Sequence, residues 1–358
     1  MGALVNWDLA GAAGARLVRP GPDVAADEAR AHVEGLYAAA AAAEAHVRAV
    51  TGLVAPTSSP VEVVDRPRWV RANAGGFGVL LDPVEERLLT RAPGPAVQAV
   101  GSTLTALETG AVLAWLAARV LGQFEIAGRA ADGAEHQGRL LLVAPNILQA
   151  QRSLRLDAAD FRLWVCLHEE THRVQFGGVP WMRGHILGEL RGIIGSLETE
   201  PGQWVGRMAA IVRAIGSALI GRGAGGMAAA VLPPAQRERL TRLAATMALL
   251  EGHADFVMDE VGPQVVPSVV RIRSAFNARR ANAAPVEGAM RRLLGMDEKL
   301  RQYREGSAFV RGVHSHVGAE GFAAVWSAPE ALPSSAEIAS PERWVARVHG
   351  PAAVLGAG

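Results

Sequence analysis

The segment DAADFRLWVCLHEETHRVQF, at 157–176, constrains most strongly how this chain can fold. Asp157 is suited to cap a helix N-terminus, and apolar residues then recur at helical spacing. Because a helix turns every 3.6 residues, His168 and His172 are expected one above the other on one face. A polar cluster within so apolar a segment is expected to be buried, where polar groups need partners. The large apolar residues around the histidines are Phe161, Trp164, Val165 and Phe176.

Two histidines four residues apart with a glutamate after the first form the HExxH pattern of a catalytic zinc site. His168 and His172 can bind one zinc ion, and Glu169 can exchange a proton with a water molecule at the open position. The five-residue pattern also arises by chance on polar helix surfaces. Burial of this segment favours the metal site over that alternative.

A catalytic zinc ion normally has three protein ligands, so a further ligand is required. One protease pattern places a third histidine six residues after the second and a glycine three after it, but those positions hold Gly178 and Gln175. That pattern is therefore excluded.

The segment LLEGHADFVMD, at 249–259, supplies a better candidate. Glu251 lies on the apolar stripe of a predicted helix over 235–260, and Asp255 follows one turn later on the same face. This spacing matches proteases that use a glutamate as third ligand and an aspartate to orient a ligating histidine. Two alternatives remain. In the first, the two carboxylates form a buried pair bound by arginines. In the second, His253 is the third ligand instead of Glu251. Because His253 points away from Glu251 around the helix, we interpret it as partly exposed or bonded within the core.

Most of the remaining chain has helical patterns. Residues 24–51 are alanine-rich and proline-free and precede Gly52, a typical helix stop. A second helical pattern covers 97–120, whereas 51–62 and 82–96 are predicted as loops because they contain prolines. The structure of the apolar, glycine-rich residues 206–232 is left open, and the tail at 327–358 is expected to wrap the surface.

One stretch departs from the helical pattern. Within 119–147, two apolar runs (120–127 and 140–147) flank a polar connection with glycines, which predicts a β-hairpin. The second run immediately precedes the predicted metal helix. We therefore expect either an edge strand that accepts an extended substrate peptide or an ordinary core strand.

Composition narrows the class of protein. The chain has 358 residues, 50% of them hydrophobic, and a net charge of +1, which excludes a disordered or highly charged protein. A single cysteine, Cys166, excludes an internal disulfide and is typical of the cytoplasm; we interpret it as a core residue. No secretory signal or membrane span is expected.

Two further groups of residues have some features of a functional site. The basic run at 271–304 nearly lacks aromatic residues and is interpreted as a solvated helix face rather than a nucleic-acid site. His314 and His316 alternate as they would on a strand, and a lone pair of this kind is weak evidence for a second metal site.

Several segments of the chain resemble the corresponding segments of one known family. They are NWDLAGAAGARLVRPGP, HEETHRVQF, PWMRGHI, LLEGHADFVMD, LLGMDEKLRQYREGSAFV and PERWVARV. Over these segments the chain resembles the zincin-like metallopeptidases of actinobacteria, whose members are labelled zinc-dependent metalloproteases or proteins associated with deazaflavin-coenzyme biosynthesis. The resemblance implies a mainly α, zincin-like fold with a small β-hairpin or sheet. It also implies a zinc site at His168, His172 and Glu251 with Glu169 as the base. The long separation of Glu251 from the histidines departs from the best-known glutamate-ligand zincins.

The sequence therefore predicts one domain over 1–358, with a helical part at 1–118, a metal-site core at 119–262 and a C-terminal helical part at 263–358. The expected function is a cytoplasmic zinc hydrolase that acts on a peptide. A small amide metabolite as substrate, and a zincin-like binding or scaffold protein without activity, are the alternatives. His185 and Tyr303 are both candidates to stabilise an oxyanion. The oligomeric state is left open.

Overall fold

In the computed structural model, residues 5–89, 95–128, 136–195, 234–281 and 296–355 are described. They form a mainly α-helical protein with one small sheet, as predicted. The helices of the first half are α1 (Trp7–Leu17), α2 (Ala26–Thr51), α3 (Arg66–Leu89), α4 (Pro95–Ala117), α5 (Ala144–Leu154), α6 (Ala158–Gly177) and α7 (Met182–Gly195). Those of the second half are α8 (Pro234–Val265), α9 (Val269–Ala281), α10 (Met296–Ala323), α11 (Ser335–Ile338), α12 (Pro341–His349) and α13 (Ala352–Leu355), with short 3-10 turns at Ala324–Trp326 and Pro329–Ala331.

Two helix boundaries follow directly from the capping residues. The Asp157 side chain accepts hydrogen bonds from the backbone N–H groups of Ala159 and Asp160, both at 2.9 Å, and so begins α6. Gly52 ends α2 in the left-handed conformation, with φ 68°. Both boundaries confirm the sequence prediction within two residues.

The sheet has three strands in the order β1–β3–β2: β1 (Val61–Val64), β2 (Gly122–Glu125) and β3 (Arg139–Val143). β2 and β3 pair antiparallel, which confirms the predicted hairpin, while β1 pairs parallel with β3. The strand β1 was missed because its four residues adjoin a segment that prolines marked as a loop. The sheet therefore has a strand on each side of β3.

Of the two roles expected for 140–147, the structure confirms the ordinary core strand and excludes the edge strand. β3 is central, so its backbone groups pair on both sides and are not open to a substrate. The strand also ends at Val143, where Pro145 occupies the first turn of α5. The outer strand that packs against α6 is instead β2.

α6 lies at the centre of the fold. It packs against α2, against α8 and against β2, and its middle turns are buried. One hydrophobic cluster extends from Leu36 in α2 through Phe161 in α6 to Trp344 in α12. This packing places the polar residues of the HExxH segment within the protein, as the apolar flanks predicted.

The structure differs from three other predictions. α3 continues to Leu89 and α4 begins at Pro95, so the described residues of the predicted loop at 82–96 are helical. The alternation of His314 and His316 is not that of a strand, because both residues lie in α10. The tail does more than wrap the surface, since Trp344 and Val345 are fully buried.

Residues 206–232 lie outside the described residues, and the prediction of a single domain over 1–358 stays a prediction. No helix within the described ranges is both long and apolar enough to cross a lipid bilayer.

Candidate metal centre

α6 presents His168 and His172 on one face. Their side chains are four residues apart, and their rings meet edge to face, with centroids 4.8 Å apart and an interplanar angle of 89°. The two Nε2 atoms are 3.2 Å apart. The helix therefore brings two imidazole nitrogens to one point, as the HExxH spacing predicted.

Glu251, on the neighbouring helix α8, reaches the same point. Its Oε2 lies 3.4 Å from Nε2 of His168 and 3.5 Å from Nε2 of His172. Ligands bound tetrahedrally to zinc at its usual bond lengths stand about 3.3 Å from one another. The three measured separations, from 3.2 to 3.5 Å, match that spacing, so these residues fit a tetrahedral metal ion.

The position of Glu251 depends on how α8 packs on its other side. The next residue, Gly252, lies against Gly306 of α10, so closely that a Cβ atom on Gly252 would be 2.1 Å from the carbonyl carbon of Gly306. Real Cβ atoms essentially never approach so closely. Glycine at both positions therefore allows the close approach of α8 and α10 that accompanies the placement of Glu251.

Glu169 is held beside the histidine pair by the first residue of β2. The glutamate is 7% exposed, and an ideal Cβ on Gly122 would lie 2.6 Å from its Cδ and 2.7 Å from its Cγ. Any residue larger than glycine at 122 would force this side chain to shift. The sheet thus confines the carboxylate that the sequence predicted as the base.

Comparisons with known proteins identify the family of this chain. The family model described as zincin-like metallopeptidase matches residues 5–345. The chain belongs to this family. It is also similar to the crystal structure of a proposed hydrolase with a novel fold from Chloroflexus aurantiacus, with a TM-score of 0.67, 29% identity, and coverage of 96% of this chain and 99% of the other. No protein of curated function is significantly similar in sequence.

The electrostatics of this zincin-like centre favour a protonated His172 beside an ionised Glu251. Burial by itself lowers the pKa of His172, but the adjacent Glu251 carboxylate outweighs burial and raises that pKa to about 9. Without a metal, a proton on the imidazole therefore balances the carboxylate. A divalent cation would replace that proton when it binds.

Gln175 is a residue of this zincin-like protein that the sequence interpretation did not assign to the site. It lies one turn after His172 on α6, and its Oε1 is 2.9 Å from Nδ1 of that histidine. Its Nε2 donates to the Leu250 carbonyl at 2.9 Å and lies 3.0 Å from Nδ1 of His253. The sequence feature that could have identified Gln175 is its position on a buried helix face, three residues after the candidate ligand His172.

His253 is bonded within the core, which is one of the two environments expected for it. It is 3% exposed, and its Nδ1 faces Gln175 rather than the three candidate ligand atoms. Burial lowers its pKa to about 3, so the ring is neutral.

Asp255 lies near the centre on the same helix as Glu251. Burial raises the pKa of its carboxyl group, an effect that nearby His168 and Arg273 oppose. Its Oδ1 is 4.0 Å from Nη1 of Arg273, so a contact with an arginine, which the sequence left open, is present. That Asp255 orients a ligating histidine stays a prediction.

The other candidate residues have different surroundings. Cys166 is fully buried, and its Sγ is 3.8 Å from the Leu36 carbonyl oxygen, so it is a core residue. The His185 ring meets Trp181 edge to face at 5.9 Å. The His314 ring packs between Phe256 and Phe322, at 4.4 Å and 4.8 Å. Tyr303 lies in α10, and its side chain is outside the described part of the structure.

Proposed function

We propose that this protein is a zinc-dependent hydrolase that cleaves peptide bonds, with His168, His172 and Glu251 as metal ligands and Glu169 as general base. The observation that carries the proposal is the tetrahedral spacing of the three ligand atoms beside a confined carboxylate. Two imidazoles and a carboxylate are the ligand set of several zinc proteases. Family membership and the similarity to a proposed hydrolase support the same class of reaction.

When bound by these residues, a zinc ion would lower the pKa of a water molecule to near 7 and would polarise the scissile carbonyl group. A carboxylate oxygen of Glu169 accepts the proton of the attacking water and then delivers it to the leaving nitrogen. Such proton transfers typically contribute about 10²–10⁴-fold to the rate. Because Gly122 leaves the Glu169 side chain little room, the base is already oriented before the substrate arrives.

A peptide is the preferred substrate because of the position of β2. Within the described residues β2 pairs with β3 on one side, and it begins at the glycine that contacts Glu169. A substrate in extended conformation that added to the outer side of β2 would pass close to the base. Main-chain hydrogen bonds to such a strand would bind peptides of many sequences.

The experiment that tests the proposal combines metal analysis with a cleavage screen. We expect one zinc per purified chain and cleavage of a peptide library that chelator abolishes and zinc restores. Glu169→Gln keeps the size of the side chain but removes the basic oxygen, so this variant should retain zinc and lose at least about 10²-fold in rate. Equal rates for the variant and the wild type would refute Glu169 as the base.

The same screen separates the alternatives. Cleavage of small amides without cleavage of peptides would indicate an amidohydrolase that acts on a metabolite. Tight zinc binding without any hydrolysis would favour a binding or scaffold protein.

We also propose a cytoplasmic location and no nucleic-acid partner. A chain with a single, buried cysteine suits a reducing compartment, and its near-zero net charge gives no reason to expect phosphate binding. Cell fractionation with a protease-protection assay tests the location. Recovery of the protein outside the cell would refute it.

A further inference from the structure

Gln175 connects the two helices that carry the candidate metal ligands. Its side chain is 0% exposed, and it extends from α6 to α8. It contacts His172, which is one ligand, and the backbone of Leu250, which directly precedes the ligand Glu251. A fully buried amide at this place needs a partner for each of its polar atoms.

The hydrogen bonds fix which way the amide points. The Leu250 carbonyl oxygen can only accept, so the atom of Gln175 that faces it must be the donor, Nε2. Oε1 must then face Nδ1 of His172, at 2.9 Å, and because Oε1 can only accept, this Nδ1 carries the hydrogen. With the hydrogen on Nδ1, the neutral ring has its lone pair on Nε2, the atom that faces His168 and Glu251.

His253 satisfies the second hydrogen of the amide. Its Nδ1 lies 3.0 Å from Nε2 of Gln175 and accepts from it. The ring is packed by two aromatic residues, Phe322 at 5.4 Å and Trp326 at 5.1 Å between centroids. The amide is therefore restrained at three points, and its oxygen has one orientation.

We propose that Gln175 is a positioning residue that holds His172 with its hydrogen on Nδ1 and its Nε2 directed at the metal, and that His253 and the Leu250 carbonyl orient Gln175 for this role. Histidines that bind metals typically donate their second nitrogen to a carboxylate, a carbonyl or water. Here the amide oxygen takes that place without adding a buried negative charge. The inference rests on the metal-binding part of the proposed function but does not depend on peptide cleavage.

The test uses three variants and two measurements on the full chain. Gln175→Met keeps the approximate volume but removes the acceptor, and Gln175→Glu keeps an acceptor for His172 but cannot donate to Leu250 or His253. His253→Phe keeps the aromatic packing and removes only the acceptor. Zinc affinity is measured by competition with a chromogenic chelator, and unfolding is measured separately on the metal-free protein.

We expect zinc affinity to fall about 10–100-fold in Gln175→Met, the usual effect of losing a residue that orients a ligand. Gln175→Glu should bind zinc more tightly than Gln175→Met although its buried carboxylate makes the metal-free protein less stable. The effect of His253→Phe should be smaller than that of Gln175→Met, because the Leu250 carbonyl still orients the amide. Gln175→Glu should therefore rank above Gln175→Met in zinc affinity but below it in the stability of the metal-free protein. A merely structural role of Gln175 would give the same ranking in both measurements.

A matched control is Asn146→Leu, which removes another buried amide that donates to the carbonyls of Ala117 and Val120. It should lower stability and leave zinc affinity unchanged. A third readout, independent of metal, is the imidazole Nδ1–H of His172 in NMR spectra. Its exchange with water should be slow in the wild type and fast in Gln175→Met.

Unchanged zinc affinity in Gln175→Met, or fast exchange of this proton in the wild type, would overturn the inference. Wild-type zinc binding without hydrolysis would overturn the proposed peptidase and leave the inference standing. A wild type that binds no zinc would overturn both. If Gln175→Met fails to fold, the zinc affinities of Gln175→Glu and His253→Phe test the inference instead. A loss of zinc affinity in Gln175→Glu as large as that caused by substituting a ligand would refute the positioning role.

Discussion

Gly122→Ala adds a single methyl group next to the proposed base and leaves the metal ligands untouched. The new Cβ would lie 2.6 Å from Cδ of Glu169, whereas non-bonded carbon atoms prefer about 3.5–4.0 Å. The glutamate must therefore move by roughly 1 Å, and it is buried on its other sides. A misplacement of about 1 Å in a catalytic group costs on the order of 10²-fold in rate. We expect kcat to fall by about that factor.

The assay compares kcat for a cleaved peptide with zinc content, measured on the same preparation. Zinc should remain at one per chain, because the three ligand atoms come from other residues. The control is Gly75→Ala in α3, where an added Cβ has no heavy atom within 4 Å, so activity should not change. Full activity of Gly122→Ala would refute the confinement of Glu169. Loss of zinc would show instead that β2 supports the ligands themselves.

Three further outcomes are expected. Substituting a residue outside the ligand set typically weakens zinc binding by roughly 10–100-fold, and Glu251→Gln should weaken it by more than that. His253→Ala should keep stoichiometric zinc. The reverse result in metal analysis would reassign the third ligand. Asp255→Ala should lower metal affinity or activity about 10–100-fold without unfolding the chain, and unchanged values would assign Asp255 to its contact with an arginine alone. Burial raises the pKa of Glu337, but Arg347 and the cap of α11 outweigh burial and hold it below the usual range. The stability from that carboxylate is present above the ordinary glutamate pKa and is lost as pH falls through the lowered pKa. Glu337→Gln should therefore cost about 1 kcal/mol of unfolding free energy near pH 7 and nothing near pH 2, measured by denaturant titration; an equal cost at both pH values would contradict the ion pair.

The features that were predictable from the sequence depend on local interactions. The start of α6 follows from Asp157, and the end of α2 follows from Gly52, because a cap is decided by a residue and its immediate neighbours. The meeting of His168 and His172 follows from helix geometry alone. These predictions needed no knowledge of tertiary packing.

The features that were missed depend on residues far apart in the chain. β1 has four residues and is recognisable as a strand only once it pairs with β3. The same pairing makes β3 central and decides between the edge strand and the core strand, which the sequence had left open. Gln175 is one of many polar residues in the sequence, and its role becomes visible only when α8 brings Leu250 and His253 to it.

The role of Glu251 was predictable from the sequence only in part. Its apolar helical stripe showed that the carboxylate would be buried, but the stripe could not say which partners it would meet. Its distances of 3.4 and 3.5 Å to the histidines are compatible only with a close and defined position of α8. Two contacts outside the candidate ligand set contribute to that position, the approach of Gly252 to Gly306 and the bond from Gln175 to the Leu250 carbonyl. Because both contacts flank Glu251 in sequence, a small shift of either would move the carboxylate relative to the imidazoles. The third position of the candidate metal centre thus depends on helix packing and on one amide, neither of which appears in the HExxH pattern.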